Sequence, residues 1–288
     1  MAPNFTVFSG NRMLALAVSV IAASLWFAAV VAAPEFQRAW LSVIAVCLAV
    51  PLLLLRGAWQ ALRHTSLTAA RRMRTWMAIA IPLALWLGSV WVIAAKGLLL
   101  PGVIRFPLLP LLIVVPTAIA VVVLRRSLHI GKILDVTPVA WLIGIQSYRV
   151  VGAVFFLGWT AGSMPGVFAW PAGIGDVITG VMAFPVAAAI ASGQSRSVRA
   201  AVIWNVFGLG DLILAILLGA LTSPGPLQYL HFDPANLGIG AYPYAIIPAF
   251  IVPGSFLLHI LSLRQLLRKP RFSDSIAPVA MREADQFL

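Results

Sequence analysis

The chain has 288 residues, 61% of them hydrophobic and only 10% charged, and it carries a net charge of +12. A water-soluble domain of that composition would lack the polar surface to cover itself, so lipid is the expected solvent. A single cysteine, Cys47, excludes an intrachain disulfide and a cysteine-based metal site.

The apolar runs are continuous rather than alternating, which predicts helices and not a β-barrel. In chain order they place spans at 13–33, 39–55, 76–95, 106–124, 138–160, 174–192, 200–221 and 243–265. Most are long enough for roughly 30 Å of hydrocarbon at about 1.5 Å per residue; the second is short. The expected fold class is therefore an all-α integral membrane protein, a bundle of about eight transmembrane helices. The first span has small residues, Ala32 and Ala33, near its end, but its apolar stretch exceeds the core of a signal peptide, and a retained helix is expected.

The basic residues are unevenly shared. Sixteen of the 20 Lys and Arg precede the first span, close the last, or fall in loops after even-numbered spans. Arg38, Lys96 and Arg105 fall in the other loops, and Arg149 lies within a span. By the positive-inside rule this bias places both termini in the cytoplasm, and the cytoplasmic (inner) membrane is the expected location. The charge is thus a topology signal and not a nucleic-acid footprint. A second role is binding of anionic lipid headgroups by Arg63, Arg71, Arg72 and Arg74 at the cytoplasmic face.

Residues 1–132, holding the first four spans, form a plain apolar half. Its polar residues within spans, Ser19, Ser24, Ser42, Ser89 and Thr117, can bond back to their own helix carbonyls, and it reads as scaffold. Residues 133–269 form a polar half with intramembrane charges, and 270–288 a short flexible cytoplasmic tail. In the fifth span Gln146, Arg149, Gly152 and Phe156 share a face, beside Tyr148. The seventh span lines up Asn205, Gly208 and Asp211; the eighth, Ser255, His259 and Ser262. In the sixth, Asp176 starts a face bearing Gly180, and Thr179, Ala183 and Ala187 form a ridge of small residues.

A charge at the bilayer centre costs about 2.5–3.5 kcal/mol on insertion scales, so partners are expected. Arg149 and Asp211 lie about equally deep in their helices, which predicts that they face each other; such a pair can serve helix register alone. Asp176 is expected in the first turn of the sixth helix, near its outer end, where it offsets the helix dipole. The motif G-x-G-D-x-I occurs twice, from Gly173 and from Gly208, with its aspartates at different depths. The uncharged stretch before the first copy, with Trp159 and Trp170, reads as an interfacial loop. Pro243, Pro248 and Pro253 are expected to kink the eighth helix.

There is no nucleotide-binding glycine fingerprint, P-loop or HExxH, and His64, His129, His231 and His259 occur singly, so no cofactor or metal is expected. The leading expectation is a small-solute or ion transporter whose pathway uses Arg149, Asp211, Asp176, His259, Asn205, Gln146 and Tyr148. An anionic solute would suit Arg149 only where Asp211 leaves it unneutralised. His259 is a candidate proton carrier near neutrality. One alternative is a membrane-embedded enzyme acting on a lipid-like substrate through Asp176, Asp211 and His259, although their spacing puts them at three depths. Another is a non-catalytic membrane subunit that docks a partner on its polar face.

Overall fold

The computed structural model describes residues 12–32, 37–126, 128–193 and 195–267, and all regular structure among them is helical. The expected tail at 270–288 lies outside the described residues. Helices α1 (Arg12–Val31), α2 (Gln37–Arg63), α3 (Ala69–Ala95) and α4 (Leu108–Arg126) come first, then a short α5 (Leu128–Val136). The fifth span is composite: α6 (Val139–Gly144), a 3₁₀ helix (Ile145–Ala153) and α7 (Val154–Thr160). Helices α8 (Gly166–Ala191) and α9 (Ser195–Thr222) follow, and after a 3₁₀ turn (Gly238–Gly240) a π-helical turn (Ile247–Ile251) leads into α10 (Val252–Leu267).

Seven of the resulting spans are long and apolar enough to cross a membrane, where eight were expected. The difference is the fourth, whose apolar part, Leu108–Leu124, is shorter than the rest. Exposed apolar stripes mark the outside of the bundle: on α8, Val167, Trp170, Ile174, Ile178 and Met182 recur at helical spacing and are all exposed. The opposite face is built from small residues. Ala169, Ala172, Gly173, Gly175, Thr179, Gly180, Ala183 and Ala187 are buried, which lets α8 approach the 3₁₀ segment and α9 closely.

The sixth helix starts at Gly166, not at 174, so most of the expected interfacial loop is helix. Pro171 falls in the second turn, where the helix gives up one hydrogen bond and continues. Trp159 and Trp170 are half-exposed and in ring contact, centroids 5.1 Å apart, across the turn between α7 and α8. The longer helix moves Asp176 from a capping position to ten residues past the first, Gly166. Asp211 lies eleven residues before the last residue of α9, Thr222. Helices α8 and α9 run antiparallel, with the Trp204 indole donating to the Thr179 carbonyl at 3.0 Å. The two aspartates therefore sit at one depth, not two.

Two backbone irregularities flank this level. The 3₁₀ stretch covers nine residues, much longer than the usual three or four, and at three residues per turn it stacks Gln146, Arg149 and Gly152 on one line, all buried. The π-helical turn contains Pro248, and the expected break in the eighth span is at this turn. Pro243 lies ahead of the helix, and Pro253 lies within α10. In the first half, Thr117 bonds back to the Ile113 carbonyl at 2.6 Å as expected, and Ser42 accepts from the Trp26 indole at 3.1 Å, tying α1 to α2.

Candidate functional site

Arg149 is 3% exposed, on the 3₁₀ segment between α8, α9 and α10. A guanidinium has five N–H donors, and here each group of them meets an acceptor. Nε donates to Asp176 Oδ1 at 2.7 Å, and Nη2 lies 2.6 Å from the same oxygen. Nη2 also donates to Asp211 Oδ2 in a close ion pair. Nη1 donates to the Gly208 carbonyl at 3.3 Å and lies 3.1 Å from His259 Nε2. The Arg149–Asp211 pair expected from helix depth is present, and Asp176 joins it.

The histidine side of the cluster has one consistent hydrogen-bond assignment. Asn205 Nδ2 has two acceptors, the Ala201 carbonyl at 2.8 Å and Ser262 Oγ at 3.0 Å, so its Oδ1 is the acceptor that faces His259 Nδ1 at 2.9 Å. The proton is thereby assigned to Nδ1, leaving Nε2 to accept from Arg149. The imidazole is fully buried and rests against Trp204, ring centroids 4.9 Å apart. His259 and Asn205 thus brace the guanidinium on the side away from the carboxylates.

Tyr148 also reaches α10, one turn before His259. Its hydroxyl lies 2.7 Å from Ser255 Oγ, which itself donates to the Ile251 carbonyl at 3.0 Å, so the tyrosine is the donor. Gln146 is fully buried one 3₁₀ turn from Arg149, and neither its Nε2 nor its Oε1 has a partner among the described residues. Of the seven site residues expected from sequence, four touch directly (Arg149, Asp176, Asp211, His259) and Asn205 joins through His259. Tyr148 and Gln146 sit on the same segment without contacting the ions.

Three glycines make room for the cluster. A Cβ on Gly175 would strike the Asp211 carboxylate, one on Gly152 the Asp176 carboxylate, and one on Gly208 the His259 ring. Gly210 occupies the same place before Asp211 that Gly175 has before Asp176, yet it faces open space. The two copies of the G-x-G-D motif thus bring both acids to one arginine through unlike packing. Sequence reasoning missed Gly175 for that reason: nothing in the motif separates it from Gly210.

Two cavities meet at this level. The smaller, about 20 Å³, is lined by Tyr148, Arg149, Gly152, Asp176 and Ser255, with Val43 and Val46 of α2 as a wall. That is room for about one water among polar groups. The larger, about 120 Å³, lies between the 98–109 region, α9 and the π-helical turn, and Asp176 is its one ionisable lining residue. Asp176, Leu212, Ile247 and Val252 border both. The Asp176 side chain is 16% exposed, against 5% for Asp211, so Asp176 is the acid of the cluster that opens to both cavities.

The charge balance is unequal: one guanidinium and a hydrogen-bonded imidazole stand against two carboxylates. A buried ion pair is tolerated when each charge is compensated, and an unmatched charge is costly. Arg149 separates the acids from His259, and among the described residues no three His, Cys, Asp or Glu gather as a metal site.

Fold and site together define an all-helical, multi-pass membrane protein with an ion cluster enclosed by its helices. The chain belongs to the family described as Domain of unknown function (DUF8737), whose model matches residues 106–267 and so contains every member of the cluster. No curated protein and no solved structure matches the chain.

Proposed function

We propose that the protein is a small-solute or ion transporter of the cytoplasmic membrane, and that Arg149, Asp176 and Asp211 form its charge-exchanging centre. The observation that carries this reading is the two-to-one ratio of carboxylates to guanidinium, with one acid open to a cavity. An acid beyond what Arg149 needs can take up a proton or a cation, and releasing it restores the negative charge. The anionic-solute version loses support, because every nitrogen of Arg149 is already engaged by protein acceptors. Asp176 is the exchanging group, Asp211 holds Arg149 in place, and His259 with Asn205 positions the guanidinium.

The wider arrangement belongs to the same proposal: about eight spans counting Leu108–Leu124, with both termini in the cytoplasm. Arg63, Arg71 and Arg74 are exposed at the junction of α2 and α3, where they suit anionic headgroups. The enzyme alternative gains from the acids and His259 sharing one depth. It loses more, because both His259 nitrogens are held by Arg149 and Asn205 and neither meets a carboxylate. The docking-subunit alternative wants a polar face outside, whereas Arg149, Asn205 and His259 are each at most 3% exposed.

Charge displacement on a supported membrane tests the proposal. Proteoliposomes adsorbed to the sensor receive rapid jumps in pH and in a panel of small cations, neutral solutes and anions. Wild-type protein is expected to give transient currents on pH or cation jumps, strongly reduced in Asp176→Asn. Responses indistinguishable from protein-free liposomes across the panel would refute it.

A further inference from the structure

The geometry points to a ligand class for the larger cavity: a compact organic monocation, an ammonium group on an aromatic or short aliphatic body. This rests on the transport reading above and narrows it. The cavity walls are almost wholly apolar, drawn from Leu98, Leu109, Ile216 and Pro248 among others. Phe155 and Phe168, packed edge to face with centroids 5.4 Å apart, also line it. At about 120 Å³ the cavity is somewhat smaller than an engineered apolar cavity of about 150 Å³ that binds benzene, which limits the ligand to a body of about that size.

The charge of the ligand follows from what lies at the end of that cavity. Both Arg149 contacts to Asp176 are on Oδ1. Oδ2 has no hydrogen-bond partner among the described residues and rests over Gly152, beside the smaller cavity. With Asp211 already on Arg149, the cluster has a full negative charge to offer at Asp176. A cation placed there meets the acid, which attracts it, while its organic body packs against Phe155, Phe168 and the aliphatic walls. A neutral ligand gains the apolar contacts alone, and an anion meets like charge in a low-dielectric site. The smaller cavity, with its room for a water between Tyr148, Ser255 and Asp176, hydrates the carboxylate when the cation leaves.

The probes are benzylammonium, benzyl alcohol and phenylacetate, which share one ring and differ in charge. Binding is measured to the full chain in nanodiscs of zwitterionic lipid, with empty discs subtracted. Benzylammonium is expected to bind wild type at least 10-fold more tightly than Asp176→Asn, benzyl alcohol to bind both alike, and phenylacetate not to bind. Ala215→Phe fills part of the cavity from a residue outside the ion cluster and is expected to weaken both benzylammonium and benzyl alcohol. Equal cation affinity in wild type and Asp176→Asn, cation binding unaffected by Ala215→Phe, or no cation binding at all would each overturn the assignment. Failure of the two proposals is distinguishable. Asp176-dependent binding with no charge displacement keeps the site and removes the transporter, and displacement by protons alone keeps the transporter and removes this ligand.

Discussion

Stepwise removal of the two acids separates a simple ion pair from the cluster seen here. If Arg149 had Asp211 alone, Asp211→Asn would strand a buried guanidinium and cost about 3–5 kcal/mol. With Asp176 also on Arg149, either single change leaves a one-to-one pair, and the new amide oxygen can still accept from the guanidinium. The loss is then the difference between a charge-assisted hydrogen bond, about 1.5–3 kcal/mol, and a neutral one, about 0.5–1.5 kcal/mol. Removing one of two like charges offsets part of it. Each single variant should therefore cost less than about 2 kcal/mol, and Asp176→Asn with Asp211→Asn should cost about 3–5 kcal/mol, more than the singles summed. Adding Arg149→Gln to that double should recover much of the loss. Unfolding in mixed micelles, followed by tryptophan fluorescence, supplies the four values. The reasoning is refuted if either single is as damaging as the double, or if the double equals the sum of the singles.

Three further outcomes follow from the same geometry. Arg149→Lys puts a compact charge with three donors where five are used, so unfolding measurements should place its stability well below wild type, lower by about 2 kcal/mol or more, despite the retained charge. Gly175→Ala and Gly208→Ala force a methyl group into the Asp211 carboxylate and the His259 ring and should each cost about 1–3 kcal/mol, while Gly210→Ala, with open space, should stay within about 1 kcal/mol of wild type; thermal unfolding of the three checks this. For topology, Cys47 is fully buried, so cysteines at Ser66 and at Tyr229, which is 77% exposed, can be read singly. An impermeant thiol reagent is expected to reach Ser66→Cys from the cytoplasmic side only and Tyr229→Cys from the opposite side only, and the reverse pattern would overturn the orientation.

The parts that were legible in the sequence are those that depend on counting along a helix. Arg149 and Asp211 could be matched because each lies well inside a span whose start is marked by basic residues. The ridge of Thr179, Ala183 and Ala187 was legible because small residues repeated at helical spacing. Asp176 was misplaced because Gly158, Gly162, Pro165, Gly166, Pro171 and Gly173 all signal a break in water, and a membrane helix runs through several of them. The 3₁₀ winding of 145–153 left no mark, since periods of 3.0 and 3.6 both put Gln146 beside Arg149. The larger cavity was beyond the sequence altogether, because its walls combine the 98–109 region with α9 and the π-helical turn, and no local pattern records that meeting.

The proposed proton exchange at Asp176 can be tested directly with a hydrophobic carbodiimide, which enters apolar cavities and adds to a carboxyl group that holds a proton. Mass spectrometry of the treated protein in nanodiscs locates and quantifies the adduct. The expected result is modification at Asp176 in preference to Asp211, faster at acid than at alkaline pH, and slowed by benzylammonium. An Asp176 that stays unmodified at every pH, or that reacts no faster than Asp211, would contradict a charge-exchanging carboxylate at the cavity.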